Sequence, residues 1–125
     1  MKVLVDTSIL VALKGVDLTR ATESQRALQA LDAQGNSLFL CAQVMMEYWA
    51  VATRPASARG GLGLSIAQAD ADVQAFLNQF GWVDDGEQLF GTWQAIVRTY
   101  AVSGRQVWDA RIAALMQVHS KPLKG

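Results

Sequence analysis

Three apolar residues in a row, Val3, Leu4 and Val5, run directly into Asp6. A strand with water on one face alternates apolar and polar residues. One that is apolar on consecutive positions is covered on both faces, as strands are in a parallel sheet flanked by helices. "NSLFLCA" at 36–42 reads as a second buried strand, and "GWVDD" at 81–85 as a short third one. Helical stretches separate and follow them. "TSILVALKG" stops at Gly15, and "TRATESQRALQALDAQG" carries Ala21, Ala27, Leu28 and Leu31 near helical spacing and stops at Gly35. "QVMMEYWAVATR" closes before Pro55. Ser65 and Gln68 form a capping box ahead of "IAQADADVQAFLNQF". "EQLFGTWQAIVRTYAVSG" and "QVWDARIAALMQVHS" supply two more helices, and "KPLKG" reads as a frayed end. Strands alternating with helices predict an α/β fold with a parallel sheet and helices on both its faces.

A chain of 125 residues, 51% of them apolar, is one domain with a real core. Eleven basic residues balance eleven acidic ones, which excludes a purely electrostatic nucleic-acid binder but not an enzyme with a local basic rim. From Arg98 onward the balance tips, with Arg98, Arg105, Arg111, Lys121 and Lys124 against Asp109 alone. Cys41 is the single cysteine, so there is no internal disulfide and no cysteine-rich zinc site, and its apolar setting predicts a core residue. Asp6 interrupts the opening apolar run too early for a signal peptide, and no stretch reaches the roughly 20 apolar residues of a membrane span. The expectation is a soluble, cytoplasmic protein. The loop "PASARGGLGL" is not a phosphate loop, because no Gly-Lys-Ser/Thr follows its glycines.

Three acids stand out. In open α/β sheets ligands gather beyond the carboxyl ends of the strands, which is where Asp6 falls. The competing reading is a helix N-cap, although Thr7 and Ser8 can cap equally well. Glu47 shares a stripe with Gln43, Ala50 and Arg54 on an otherwise apolar helix. That stripe faces either solvent or a polar cleft. Asp109 interrupts a helix whose apolar face is expected from Trp108, Ile112, Leu115 and Met116; in a first turn it also suits the helix dipole. Convergence of three carboxylates requires a cation between them, and an oxygen-rich, cysteine-poor set selects Mg²⁺ or Mn²⁺ over zinc.

The segments "VLVDTSIL", "QVMMEYWAVATRP" and "VSGRQVWDARIAALM", in that order and over nearly the whole chain, resemble a PIN domain of the VapC toxin type. The resemblance implies a metal-dependent endoribonuclease toxin, with Asp6, Glu47 and Asp109 at the family's first three acidic positions as metal-holding and catalytic groups. It implies one or two Mg²⁺ or Mn²⁺ ions, with Thr7 or Ser8 orienting water there. Arg54 and Arg111 are candidates for phosphate contact, against the competing reading of ordinary surface arginines. It also implies an RNA substrate, a cognate VapB-type antitoxin laid over the cleft near Trp49, Trp93 and Trp108, and a likeness to proteins with no membrane association.

Two features depart from the family pattern. Trp108 stands where many relatives carry His, and the chain stops where the family continues into a fourth strand bearing another Asp or Asn, often followed by a fifth. The expected architecture is therefore a single PIN-like, three-layer domain over residues 1–125, strand order 3-2-1, with the fourth and fifth strands missing. "KVLV" then becomes an edge, which predicts a homodimer. The missing strand also opens an alternative, a catalytically impaired scaffold that only binds antitoxin or RNA. His119 is expected to make a dipole contact at a helix end rather than to serve as a ligand.

Overall fold

The computed structural model describes residues 1–120, with the side chain of Ser120 left aside. The expectations for Lys121, Lys124 and the "KPLKG" tail lie outside the described residues. The chain divides into two compact units, residues 1–82 and those from Val83 onward.

The first unit opens with β1 (Lys2–Leu4), α1 (Thr7–Lys14), α2 (Leu18–Ala33) and β2 (Ser37–Cys41). β1 and β2 pair in parallel, Val3 opposite Leu38 and Leu4 opposite Phe39, and the Val5 N–H extends the ladder by donating to the Phe39 carbonyl. Then follow α3 (Ala42–Thr53), α4 (Ile66–Gln79) and β3 (Gly81–Val83). The three strands form a parallel sheet in the order β1-β2-β3, flanked by helices, as the sequence predicts. The third strand is shorter than "GWVDD" suggests. Gly81 opens it because a Cβ there would stand 2.6 Å from the Phe39 ring of β2.

The core of this unit is built from the consecutive apolar runs. Val5, Leu10, Leu40, Cys41, Val44, Met45 and Tyr48 are all buried, and Cys41 is a free core thiol as expected. α1 packs on α2 and α3, and α3 on α4. The α3–α4 contact includes Tyr48 and Phe76, ring centroids 5.0 Å apart and nearly perpendicular, an arrangement adding about 0.5–1.5 kcal/mol to burial alone. The Tyr48 hydroxyl donates to Asp72 Oδ2 at 2.7 Å, and Lys14 stands 3.8 Å from Asp72 Oδ1, so one carboxylate links α1, α3 and α4. Burial, reinforced by that hydrogen bond and by the Asp72 charge, pushes the Tyr48 hydroxyl pKa upward.

The Gly-rich loop folds back on α3. Leu62 N–H donates to Val51, Gly63 to Arg54 and Leu64 to Ala52, closing carbonyls that a helix end leaves open. A Cβ on Gly61 would collide with the Pro55 and Arg54 carbonyl oxygens, so the loop needs glycine there. The Ser65–Gln68 capping box forms as expected. Gly35 ends its helix with φ +87°, whereas Gly15 ends α1 in an extended conformation, where a Cβ would stand 3.3 Å from the Val11 carbonyl oxygen.

The second unit holds α5 (Leu89–Thr99) and α6 (Gln106–Ser120), packed on each other. The expected apolar face of α6 holds at Leu115, which is buried, and in part at Ile112 and Met116, but not at Trp108, which is 62% exposed; Ala110 and Ala114 are buried as well. Among the described residues no helix is long and apolar enough to cross a membrane.

Candidate functional site

Asp6 occupies the N-cap position of α1, and its carbonyl accepts from Ile9 and Leu10 as a cap residue's should. Its side chain does not cap. The carboxylate instead accepts from the Ser8 hydroxyl, Oγ to Oδ2 3.0 Å. The N-cap reading of the Asp6 side chain is thus corrected. The backbone turn is made without the carboxylate, which stays exposed at the carboxyl end of β1.

Glu47 lies on the exposed side of α3. Because α1 packs on α3, the Thr7 hydroxyl reaches across and donates to Glu47 Oε2 at 2.9 Å. One helical turn back, the Gln43 amide donates to Glu47 Oε1 at 2.8 Å. Both carboxylate oxygens are therefore gripped, one from each side. Gln43 is only 8% exposed, although the carboxylate it holds faces solvent. The Gln43–Glu47–Ala50 stripe thus faces outward at Glu47 and Ala50 and inward at Gln43.

The donors to Asp6 and Glu47 (Ser8, Thr7 and Gln43) are all neutral. Among the described residues no Lys, Arg or His lies within ion-pair distance of either. Asp72 and Asp85 differ, with Lys14 at 3.8 Å from the first and Arg111 at 2.7 Å from the second. Asp6 and Glu47 are oriented without being neutralised. Carboxylate oxygens are hard donors of the kind that Mg²⁺ or Mn²⁺ takes.

The other candidate residues fall as follows. Arg54 is the C-cap of α3 and exposed; its Nη1 donates to the Arg59 carbonyl at 3.3 Å, across the Gly-rich loop. Arg111 is engaged with Asp85 in the second unit, so its guanidinium already serves a structural ion pair. Asp109 is exposed in the first turn of α6, also in the second unit. His119 lies in the last turn of α6, as expected for a residue at a helix end, and its Nε2 meets the Asp84 carbonyl at 2.7 Å. Among the described residues no group of three or more His, Cys, Asp or Glu is arranged to hold a metal ion.

The first unit therefore ties Thr7 to Glu47 and Ser8 to Asp6, with Asp6 and Thr7 consecutive in the chain. Gln43 joins them. The sequence reading places it on the Glu47 stripe but gives it no role, and its four-residue spacing from Glu47 was the available signal. In the second unit a cavity of about 350 Å³ is lined by Leu89, Phe90, Trp93, Val107, Trp108 and Arg111. Trp93 is fixed there by its indole N–H donating to Val107, and Phe90 is 65% exposed.

Comparison with protein families gives one match. The model described as "PIN domain" matches residues 3–123. No curated protein matches the chain.

Proposed function

Because the chain belongs to the PIN-domain family, whose members are generally nucleases and typically use divalent metals, we propose that it is a Mg²⁺- or Mn²⁺-dependent endoribonuclease, the toxin of a VapC-type toxin–antitoxin pair. The observation that carries this reading is Asp6. Its carboxylate stands at a helix start and at a strand's carboxyl end and makes no capping bond, and its chain neighbour Thr7 donates to a Glu47 held on both oxygens.

Asp6 and Glu47 are the metal-holding acids of this reading, and Asp109 is the third by its motif. A divalent cation, when bound, supplies activation of water and stabilisation of charge on the scissile phosphate. Ser8 fixes the Asp6 carboxylate, and Thr7 fixes that of Glu47, with each hydroxyl oxygen retaining lone pairs that accept from water. Arg54, clear of acidic partners among the described residues, is the better of the two phosphate-contact candidates. Arg111 would have to leave Asp85 to serve.

A cognate VapB-type antitoxin is part of the proposal. The aromatic cavity with exposed Phe90 and Trp108 supports it as an apolar landing place. Self-association is proposed from β1, which among the described residues pairs on one side only. A cytoplasmic location accords with such a partner and substrate.

A second reading, an impaired scaffold that binds RNA or antitoxin without cutting, is favoured by the absence of a three-acid group among the described residues. One assay separates the two. Purified protein is incubated with a structured RNA and with DNA of the same sequence, in Mn²⁺ and in EDTA, beside Asp6→Asn. Cleavage of RNA alone, only with Mn²⁺, and lost in Asp6→Asn is the expected result. No cleavage by a protein that still binds the RNA supports the scaffold. Cleavage of DNA replaces the substrate class.

A further inference from the structure

We infer that Gln43 is a positioning residue for the metal site, acting as a neutral clamp that orients Glu47 while preserving its full charge for a cation. The inference rests on the reading of Glu47 as a metal ligand.

Three observations converge. First, Gln43 is 8% exposed, one of only two polar residues identified as buried among the described residues. Burying an amide is unfavourable unless it is hydrogen-bonded, so the position is occupied for a reason that an apolar residue would not meet. Second, its Nε2 is 2.8 Å from Glu47 Oε1, a bond strengthened by the acceptor's charge. A buried anchor holds an exposed carboxylate, so the solvent-facing group inherits the rigidity of the core. Third, Thr7 holds the other oxygen at 2.9 Å. With one donor on each oxygen the carboxylate plane is fixed, and each oxygen keeps acceptor capacity for a cation.

The neutrality of the clamp is the chemical point. A Lys or Arg at position 43 would hold the same carboxylate but cancel the charge that attracts a divalent ion. A Glu would repel it and offer no proton to donate. Only a neutral donor of this length orients without competing. Groups that orient metal ligands from behind are typically worth about 10–100-fold in metal affinity.

The test measures Mn²⁺ binding to the full chain by calorimetry, with thermal unfolding in EDTA run alongside. Gln43→Met keeps length and burial but removes the donor. Its Mn²⁺ Kd is expected to rise about tenfold or more, with the unfolding temperature in EDTA little changed. Gln43→Lys keeps a donor but adds charge, and is expected to weaken Mn²⁺ at least as much. Glu47→Gln is the control. If it leaves Mn²⁺ affinity unchanged, Glu47 is not a ligand, and the reading on which the clamp depends falls first. If Glu47→Gln weakens binding while Gln43→Met stays within twofold of the parent, the clamp alone is overturned. Should Gln43→Met fail to fold, Gln43→Lys decides, and parental affinity in that variant overturns the inference.

Discussion

Asp6 and Asp17 stand at the same place in successive helices, one residue ahead of α1 and one ahead of α2, with φ of −73° and −79°. Asp17 Oδ1 accepts from the Arg20 N–H at 3.2 Å and so closes an open donor of α2. Asp6 has the same opportunity and leaves it unused, its carboxylate turned to Ser8. The residue type and the helix position are identical, so neither decides what the side chain does. The surroundings decide. Asp6 follows β1 and precedes Thr7, whose hydroxyl reaches Glu47 on α3, whereas Asp17 starts a helix whose first turn is exposed. One carboxylate serves the fold, and the other is held in reserve beside it.

The sharpest way to break this contrast is Asp6→Asn. With no capping bond to lose, the variant is expected to be as stable in EDTA as the parent, or slightly more so once a negative charge near Glu47 is removed. Nuclease activity and Mn²⁺ binding are expected to fall by about 100-fold or more, as for loss of a direct metal ligand. Unfolding in EDTA and a cleavage assay read the two effects separately. A stability loss on the order of 1 kcal/mol with activity retained would make Asp6 a second Asp17.

Asp72 offers a third carboxylate against which to sharpen the comparison. It accepts from Tyr48 and lies near Lys14, and its work is structural. Tyr48→Phe removes a hydrogen bond to a charged group and is expected to cost about 1.5 kcal/mol, with Mn²⁺ affinity unmoved. The pH dependence has a definite sign. Folding raises the Tyr48 pKa above its ordinary 10.0, mainly through burial. Below that ordinary value the hydroxyl is protonated in both states and its contribution is complete. As pH climbs beyond it, the unfolded chain releases the proton while the folded chain retains it, so stability falls. Denaturant unfolding at about pH 8 and about pH 11 should show a steeper decline in the parent than in Tyr48→Phe. Equal declines would remove Tyr48 as the cause.

What was legible in the sequence follows from which partners lie on one element. The consecutive apolar runs, the Ser65–Gln68 box and the Gly35 stop are local patterns, and all three appear as expected. Contacts between elements were out of reach. Thr7 and Glu47 are 40 positions apart, Tyr48 and Asp72 24, Arg111 and Asp85 26, and no spacing rule connects them. Arg111, in sequence either a phosphate-contact candidate or an ordinary surface arginine, is in the fold an ion-pair partner of Asp85. On α6 the periodicity holds at Leu115 but ranks Trp108 as apolar and inward, whereas the indole is exposed and Ala110 and Ala114 are buried. Gln43 sat in plain view at a four-residue spacing, yet only its burial distinguishes an anchor from another surface polar group.

The smallest effect belongs to the helix that behaves in the ordinary way. Asp17→Ala is expected to destabilise the chain by about 1 kcal/mol, since the Arg20 N–H returns to water and α2 loses a favourable charge at its N-terminus. Both contributions act on α2 alone, so Mn²⁺ affinity and cleavage should match the parent. Asp17→Asn and Asp6→Asn then form a matched pair. An amide oxygen still accepts from a backbone N–H, so at position 17 the substitution should be nearly silent. At position 6 the same change removes the anionic oxygen that a cation requires, and no backbone N–H bond to that side chain is at stake. Equilibrium unfolding and Mn²⁺ calorimetry on the two variants test the contrast with a single chemical change. If both are silent, Asp6 has no role beyond its backbone carbonyl. If both destabilise alike, the side chain of Asp6 caps α1 in solution.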